Sequence, residues 1–104
     1  MWILDSDESA PDRATFRLPS GSVKTIGRST GAEFILDAPL VSRLHCQLSA
    51  TNDAILVKDL GSTNGTFVNG APVEGVTPLG FGDVIQIGQV RLRLERPRAA
   101  RSRR

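Results

Sequence analysis

The chain has 104 residues, with 13 Lys and Arg against 11 Asp and Glu, and one cysteine, Cys46. That length suits one domain with its own core, and a lone cysteine excludes an intrachain disulfide. The net charge of +2 is uneven: residues 91–104 carry seven Arg against Glu95, which leaves six basic and ten acidic residues before them, so the basic character does not argue for a nucleic-acid-binding fold.

In chain order, Trp2-Ile3-Leu4 reads as a short strand and Ser6 to Asp12 as a polar loop. Thr15-Phe16-Arg17-Leu18 alternates, Pro19-Ser20-Gly21-Ser22 turns, and Val23-Lys24-Thr25-Ile26 alternates again into Gly27-Arg28. The first two strands are expected to form a hairpin, with the third pairing to one of them. Glu33-Phe34-Ile35-Leu36 is a further strand, stopped by Asp37-Ala38-Pro39. Leu40 to Leu44 is ambiguous and leads into a clear strand, His45 to Ala50, in which alternation sends Cys46 and Leu48 to one buried side. Thr51-Asn52-Asp53 turns into Ala54–Lys58. After the stretch that follows come Ala71-Pro72-Val73, then Gly75 to Leu79, the turn Gly80-Phe81-Gly82-Asp83, Val84–Ile87, the turn Gly88-Gln89, and the strictly alternating Val90–Leu94.

No segment carries a 3.6-residue apolar stripe. Ten or eleven short strands at turn spacings of about eight to twelve residues predict an all-β sandwich or barrel. No apolar run of 18 residues and no signal-peptide pattern occurs, so a cytoplasmic protein without membrane contact is expected. The expected organisation is one domain over 1–95 and a disordered, Arg-rich tail over 96–104. The tail is solubilising, or makes weak salt-sensitive contacts to nucleic acid or acidic partners, or is a linker remnant.

The densest stretch is Asp59-Leu60-Gly61-Ser62-Thr63-Asn64-Gly65-Thr66-Phe67-Val68-Asn69-Gly70. Its two Asn-Gly pairs, Asn64-Gly65 and Asn69-Gly70, each predict a type I′ reversal. Small residues precede them, with little side chain over the backbone amides. Three segments lie at strand ends: Gly27-Arg28, Ser42-Arg43-Leu44-His45 and Gly61 to Thr66. Brought together at one rim, they offer two guanidinium groups, hydroxyls, an amide and loop N–H groups. That inventory suits a phosphate monoester, with about −1.5 to −2 charges and three acceptor oxygens. No Cys, acid or second His recurs around His45 at metal-ligand spacing, and no nucleophile–base–orienter set is present, so neither a cofactor nor an enzyme is expected.

The order Gly-Arg, Ser-Arg-x-His, Leu-Gly-Ser-Thr-Asn-Gly-Thr and Val-Asn-Gly resembles the forkhead-associated (FHA) domain over about residues 3–95. The resemblance implies a β-sandwich of about eleven short, mainly antiparallel strands whose loops at one end bind phosphothreonine peptides without catalysis. Carried over by position, Arg28, Ser42 and Thr63 would contact the phosphate, Thr63 through its hydroxyl or its N–H. Asn64 would grip the peptide backbone, and Arg43 would add peptide or phosphate contact. His45 would hold the loops by hydrogen bonds, with Gly27, Gly61, Gly65 and Gly70 serving backbone geometry and Asn69 ordering its loop. Leu40-Val41 and Gly80-Phe81-Gly82 are the variable loop residues expected to tune peptide preference. The implied partner is a Thr-phosphorylated protein or peptide, not a small-molecule substrate. The alternative is a phosphate-independent interaction module on the same fold.

Overall fold

Alternation builds the sandwich: along most strands every second residue turns inward, and most of those residues are apolar. The structure, a computed structural model, describes residues 1–6 and 14–95. Ser6, expected to open the polar loop, instead ends the first strand; the rest of that loop, 7–12, and the tail expected over 96–104 lie outside the described residues. Eleven strands are present: β1 (Trp2–Ser6), β2 (Thr15–Leu18), β3 (Val23–Gly27), β4 (Phe34–Ile35), β5 (Cys46–Ala50), β6 (Ile55–Asp59), β7 (Thr66–Val68), β8 (Ala71–Pro72), β9 (Val76–Leu79), β10 (Val84–Ile87) and β11 (Val90–Glu95). The described residues contain no helix, hence none able to cross a membrane.

One sheet runs β2-β1-β11-β10-β7-β8 and the other β4-β3-β5-β6-β9. All pairings are antiparallel except β3 with β4. Trp2, Leu4, Ile85, Ile87, Leu92 and Leu94 from the first sheet meet Ile26, Cys46, Leu48, Ile55, Val57 and Leu79 from the second in one core. Each such aliphatic side chain contributes about 1.5–3 kcal/mol on burial. Along one open side, Phe16 on β2 stacks on Phe34 on β4 at 4.6 Å, closing the sandwich between edge strands of the two sheets.

Three expectations are corrected. β1 and β2 do form a hairpin, with Trp2 opposite Leu18, but β3 pairs with neither; it lies in the other sheet against β5 and β4. The Pro19–Ser22 turn hands the chain across, since Gly21 N–H donates to Ala50 O and Ala50 N–H to Ser22 O, both 2.8 Å. Alternation alone does not say which sheet a strand joins, because both inner faces are apolar. The strand at Glu33–Leu36 shrinks to Phe34–Ile35: Leu36 N–H still bonds Gly27 O at 2.8 Å, but the chain then reverses, with Ala38 N–H donating to Leu36 O at 3.0 Å. The Gly80–Asp83 turn does not reach the rim where the motif loops gather. Phe81 stacks on Trp2 at 4.5 Å. Trp2 itself bonds Thr51 O beyond β5, at the end of the sandwich away from Cys46.

The register fixes where those loops go. Ile26 stands opposite Cys46, Cys46 opposite Asp59, and Ile87 opposite Thr66. The residues just beyond this row are Gly27-Arg28, His45, Leu60 and Gly88, so the loops converge on one end.

Candidate functional site

Gly27 is the point of closest approach between two of the loops. A Cβ there would lie 2.7 Å from the Arg43 carbonyl carbon and 2.9 Å from Leu44 Cα. Only a residue without a side chain lets the backbones come this near. Arg28 N–H then donates to Ser42 O at 2.9 Å and Ser29 N–H to Arg43 O at 3.1 Å. The β3–β4 loop is thereby stitched to the loop that carries Ser42 and Arg43.

That second loop is shaped by its own residues. Val41 N–H donates to Ala38 O at 3.1 Å across a turn with Pro39 at its second position, where a fixed φ suits the geometry. Val41 is buried and plugs the loop into the core, while Leu40 is exposed at the rim. Gly88, with φ +62°, lets the β10–β11 turn come against Leu40, whose carbonyl carbon would lie 2.9 Å from a Cβ. Of the five residues expected to tune preference, only the Leu40 side chain therefore stands exposed at this rim.

His45 is fully buried and joins three segments. Its N–H donates to Ile26 O at 2.8 Å and its carbonyl accepts from Leu60 N–H at 3.0 Å. Ser42 N–H donates to Nδ1 at 3.0 Å, which makes that nitrogen an acceptor. Nε2 therefore carries the proton and donates to Gly65 O at 2.8 Å. Both ring nitrogens are committed to backbone.

Asp59 organises the loop from Leu60 to Thr66. Its carboxylate accepts from Gly61 N–H and Ser62 N–H, each at 3.0 Å, from Ser62 Oγ at 2.6 Å and from Thr66 Oγ1 at 2.7 Å. Ser62 Oγ in turn accepts from Gly65 N–H at 2.9 Å. Partial burial pushes the Asp59 carboxyl up. The bonds from the Ser62 and Thr66 hydroxyls and the Ser62 and Gly61 amides outweigh it and hold the carboxyl below the ordinary carboxylate range. Beneath it, burial first, and then the Asp59 charge, push the Cys46 thiol up to about 12 against a bond to Thr66. The thiol is neutral and inert.

Thr63 and Asn64 cap this loop, both exposed. Thr63 N–H donates to Ser42 Oγ at 3.0 Å, so that N–H is occupied and its hydroxyl is the group left for a ligand. Asn64 Nδ2 donates to Leu40 O at 3.1 Å, leaving Oδ1 as an acceptor. The expected type I′ turn at Asn64-Gly65 is absent: Gly65 has φ +85° but Asn64 does not have positive φ. The Asp59–Ser62–Gly65 bonds shape this corner. The type I′ signature does occur at Asn69-Gly70, with φ 51° and 86°.

The structure thus gathers Gly27, Arg28, Ser42, Arg43, His45, Gly61, Thr63, Asn64 and Gly65 at one rim. Asn69 and Gly70 sit at the other end of β7. There Asn69 N–H donates to Val84 O at 2.8 Å, and its side chain accepts from Val84 N–H and donates to Asp83. They order the β7–β8 hairpin. Asp59, Ser62 and Thr66 are the positioning residues that sequence reasoning did not assign. The signal for them was an Asp three residues before a Ser, the spacing at which a side chain caps a turn.

Arg28 and Arg43 are exposed and line an open depression of about 450 Å³ with Ser29 and Asp37. Neither guanidinium makes an ion pair among the described residues. Two guanidinium forks in one depression, on the loops that Ser42 joins to Thr63, fit an oxyanion with several acceptor oxygens.

The family model of the FHA domain matches residues 24–88. The chain is 42% identical over 82 residues to the ABC transporter ATP-binding/permease protein Rv1747 of Mycobacterium tuberculosis, covering 79% of this chain and 9% of that protein. It spans about half the length of other curated mycobacterial relatives that it matches. Among solved structures, the FHA domain of CT664 from Chlamydia trachomatis superposes with a TM-score of 0.84 at 28% identity, covering 92% of this chain and 97% of that one. A structure from an analysis of phosphothreonine-dependent FHA domain interactions superposes with a TM-score of 0.79 at 35% identity, covering 92% and 96%.

Proposed function

The chain belongs to the FHA domain family, and on that premise we propose that it is a phosphothreonine-dependent protein- and peptide-binding module, a non-catalytic signalling adaptor of the cytoplasm. One observation carries the reading. Ser42 is held from two sides, its carbonyl by Arg28 N–H and its Oγ by Thr63 N–H. Residues of three separate loops are locked together through it before any ligand arrives. Because Ser42 Oγ accepts from within, its own proton is left to donate outward.

A phosphate monoester entering this rim meets the Arg28 guanidinium and the Ser42 and Thr63 hydroxyls, with Arg43 beside them. Charge-assisted bonds of this kind are the strong ones, and preformed loops spare the ordering cost of binding. Asn64 Oδ1 is placed to accept a peptide N–H next to the phosphothreonine. Micromolar affinity, about −8 kcal/mol, is expected. The phosphothreonine-dependent interactions of the 35%-identical FHA domain support the same reading. Both ring nitrogens of His45 are engaged by backbone, which supports a structural role rather than that of a base.

The test is fluorescence anisotropy with a degenerate phosphothreonine peptide and its phosphoserine and unphosphorylated twins. Binding is expected for the phosphothreonine form. Arg28→Ala is expected to cost about 2 kcal/mol, roughly thirtyfold in Kd. Equal binding of the unphosphorylated twin would establish the phosphate-independent alternative instead.

A further inference from the structure

The depression beside Arg28 holds a carboxylate as well as two guanidinium groups. Asp37 lines it with Arg28, Ser29 and Arg43. Asp37 is not a loosely held surface charge. Its neighbours Leu36 and Ala38 are both buried. Leu36 N–H donates to Gly27 O at 2.8 Å and Ala38 N–H to Leu36 O at 3.0 Å. The backbone on each side of Asp37 is thus tied to the core and to the residue preceding Arg28, while its own side chain is exposed. Among the described residues it makes no ion pair or hydrogen bond with Arg28 or Arg43. The fold holds a negative charge at the mouth of a basic site and, among the described residues, uses it for no bond to the two guanidinium groups.

We propose that Asp37 sets the charge preference of the site, selecting phosphothreonine peptides that carry a Lys or Arg beside the phosphorylated residue and disfavouring those with an acid there. The proposal rests on the phosphothreonine reading of the rim. A phosphate seated on Arg28 brings about −1.5 to −2 charges next to a fixed carboxylate. A cation on the peptide, placed over Asp37, relieves that repulsion; an acid adds to it. The field of an exposed charge decays within about 8 Å at physiological salt. An extended peptide advances about 3.3 Å per residue. The preference therefore concerns positions within about three residues of the phosphothreonine.

Asp37→Asn removes the charge while keeping the shape, and no side-chain bond among the described residues depends on it. The experiment compares phosphothreonine peptides bearing Arg, Gln or Glu at each of the three positions on either side, against the wild-type protein and Asp37→Asn. At one or two positions the wild type is expected to bind the Arg peptide about three- to fivefold tighter than the Gln peptide, with Glu weaker still. In Asp37→Asn the Arg-to-Glu ratio should fall to one or below, and the Gln peptide should bind slightly tighter than to the wild type. An Arg-to-Glu ratio that is unchanged by the substitution, or a wild-type preference for Glu at every position, overturns the proposal and leaves the phosphothreonine reading standing. Loss of any preference for phosphorylated over unphosphorylated peptide in the wild type overturns both.

Discussion

Replacing Gly27 with alanine tests whether backbone proximity, rather than any one side chain, assembles the rim. The new methyl carbon would sit 2.7 Å from the Arg43 carbonyl carbon and 2.9 Å from Leu44 Cα, and closer still to the Arg43 oxygen. Carbon–carbon contact is comfortable at about 3.5–4.0 Å, so the strand and the loop must separate by about 1 Å. The Arg28–Ser42 and Ser29–Arg43 bonds start at 2.9 and 3.1 Å, and that displacement takes both beyond hydrogen-bonding range. Two lost backbone bonds cost about 2 kcal/mol and the overpacking at least about 1 more, a total near 3 kcal/mol. For a domain of this size that lowers Tm by about 12–24 °C. Gly61→Ala is the control: its φ is +77° but nothing lies within 4 Å of a Cβ, so only conformational strain of about 1–2 kcal/mol is expected. Urea unfolding of both variants, with phosphopeptide anisotropy on the folded fraction, reads the outcome. Gly27→Ala should also weaken peptide binding tenfold or more, because Arg28 and Ser42 lose their mutual register. A Gly27→Ala protein within 1 kcal/mol of wild type, or no worse than Gly61→Ala, would refute the reasoning.

Asp59 makes stability pH-dependent in a definite direction. Its carboxyl is held below the ordinary range in the folded state, so its contribution is present above about pH 4 and is lost as pH falls through the lower, folded-state value. Asp59→Asn should be less stable than wild type at neutral pH and lose less stability between about pH 4 and 2. Urea midpoints at stepped pH check this, and identical slopes for the two proteins would remove Asp59 as the group responsible. Phe81→Ala, at the far end of the sandwich, should leave phosphopeptide affinity unchanged while costing about 0.5–1.5 kcal/mol of stability from the Trp2 stack. A large loss of affinity in that variant would contradict the placement of the turn.

The features legible in the sequence are those written in local chemistry. Alternation marked the strands because each buries one face, and Gly, Pro and Asn-Gly marked most of the turns because their dihedral requirements are intrinsic. Pairing was less legible. Nothing in Val23-Lys24-Thr25-Ile26 distinguishes a strand that joins β1 from one that crosses to β5, since the deciding bonds come from Ala50, about thirty residues away. Phe81 misled for a related reason: an apolar residue in a turn looks the same whether it lines a ligand rim or covers Trp2.

The site itself shows the same division. Arg28, Ser42 and Thr63 are recognisable because they face outward and their types match an oxyanion, yet the groups that fix them face inward and look ordinary in one dimension. Asp59 reads as the end of a strand. In three dimensions its two oxygens receive four hydrogen bonds, and through Ser62 a fifth reaches Gly65, whose carbonyl holds the ring of His45. His45 then holds Ser42 by its amide. A chain of bonds thus runs from one strand-end carboxylate to the residue whose hydroxyl is proposed to meet the ligand; its short links, Asp59 to Ser62 and Ser62 to Gly65, have turn-capping spacing, but the link from Gly65 to His45 spans twenty residues and leaves no local signal. Asp37 belongs to the opposite case. Its position beside Arg28 follows from the Leu36–Gly27 bond, a tertiary fact, but its effect on binding follows from charge alone. The rim is therefore two layers of one design: a buried network that sets geometry, and an exposed set of charges that sets what the geometry receives.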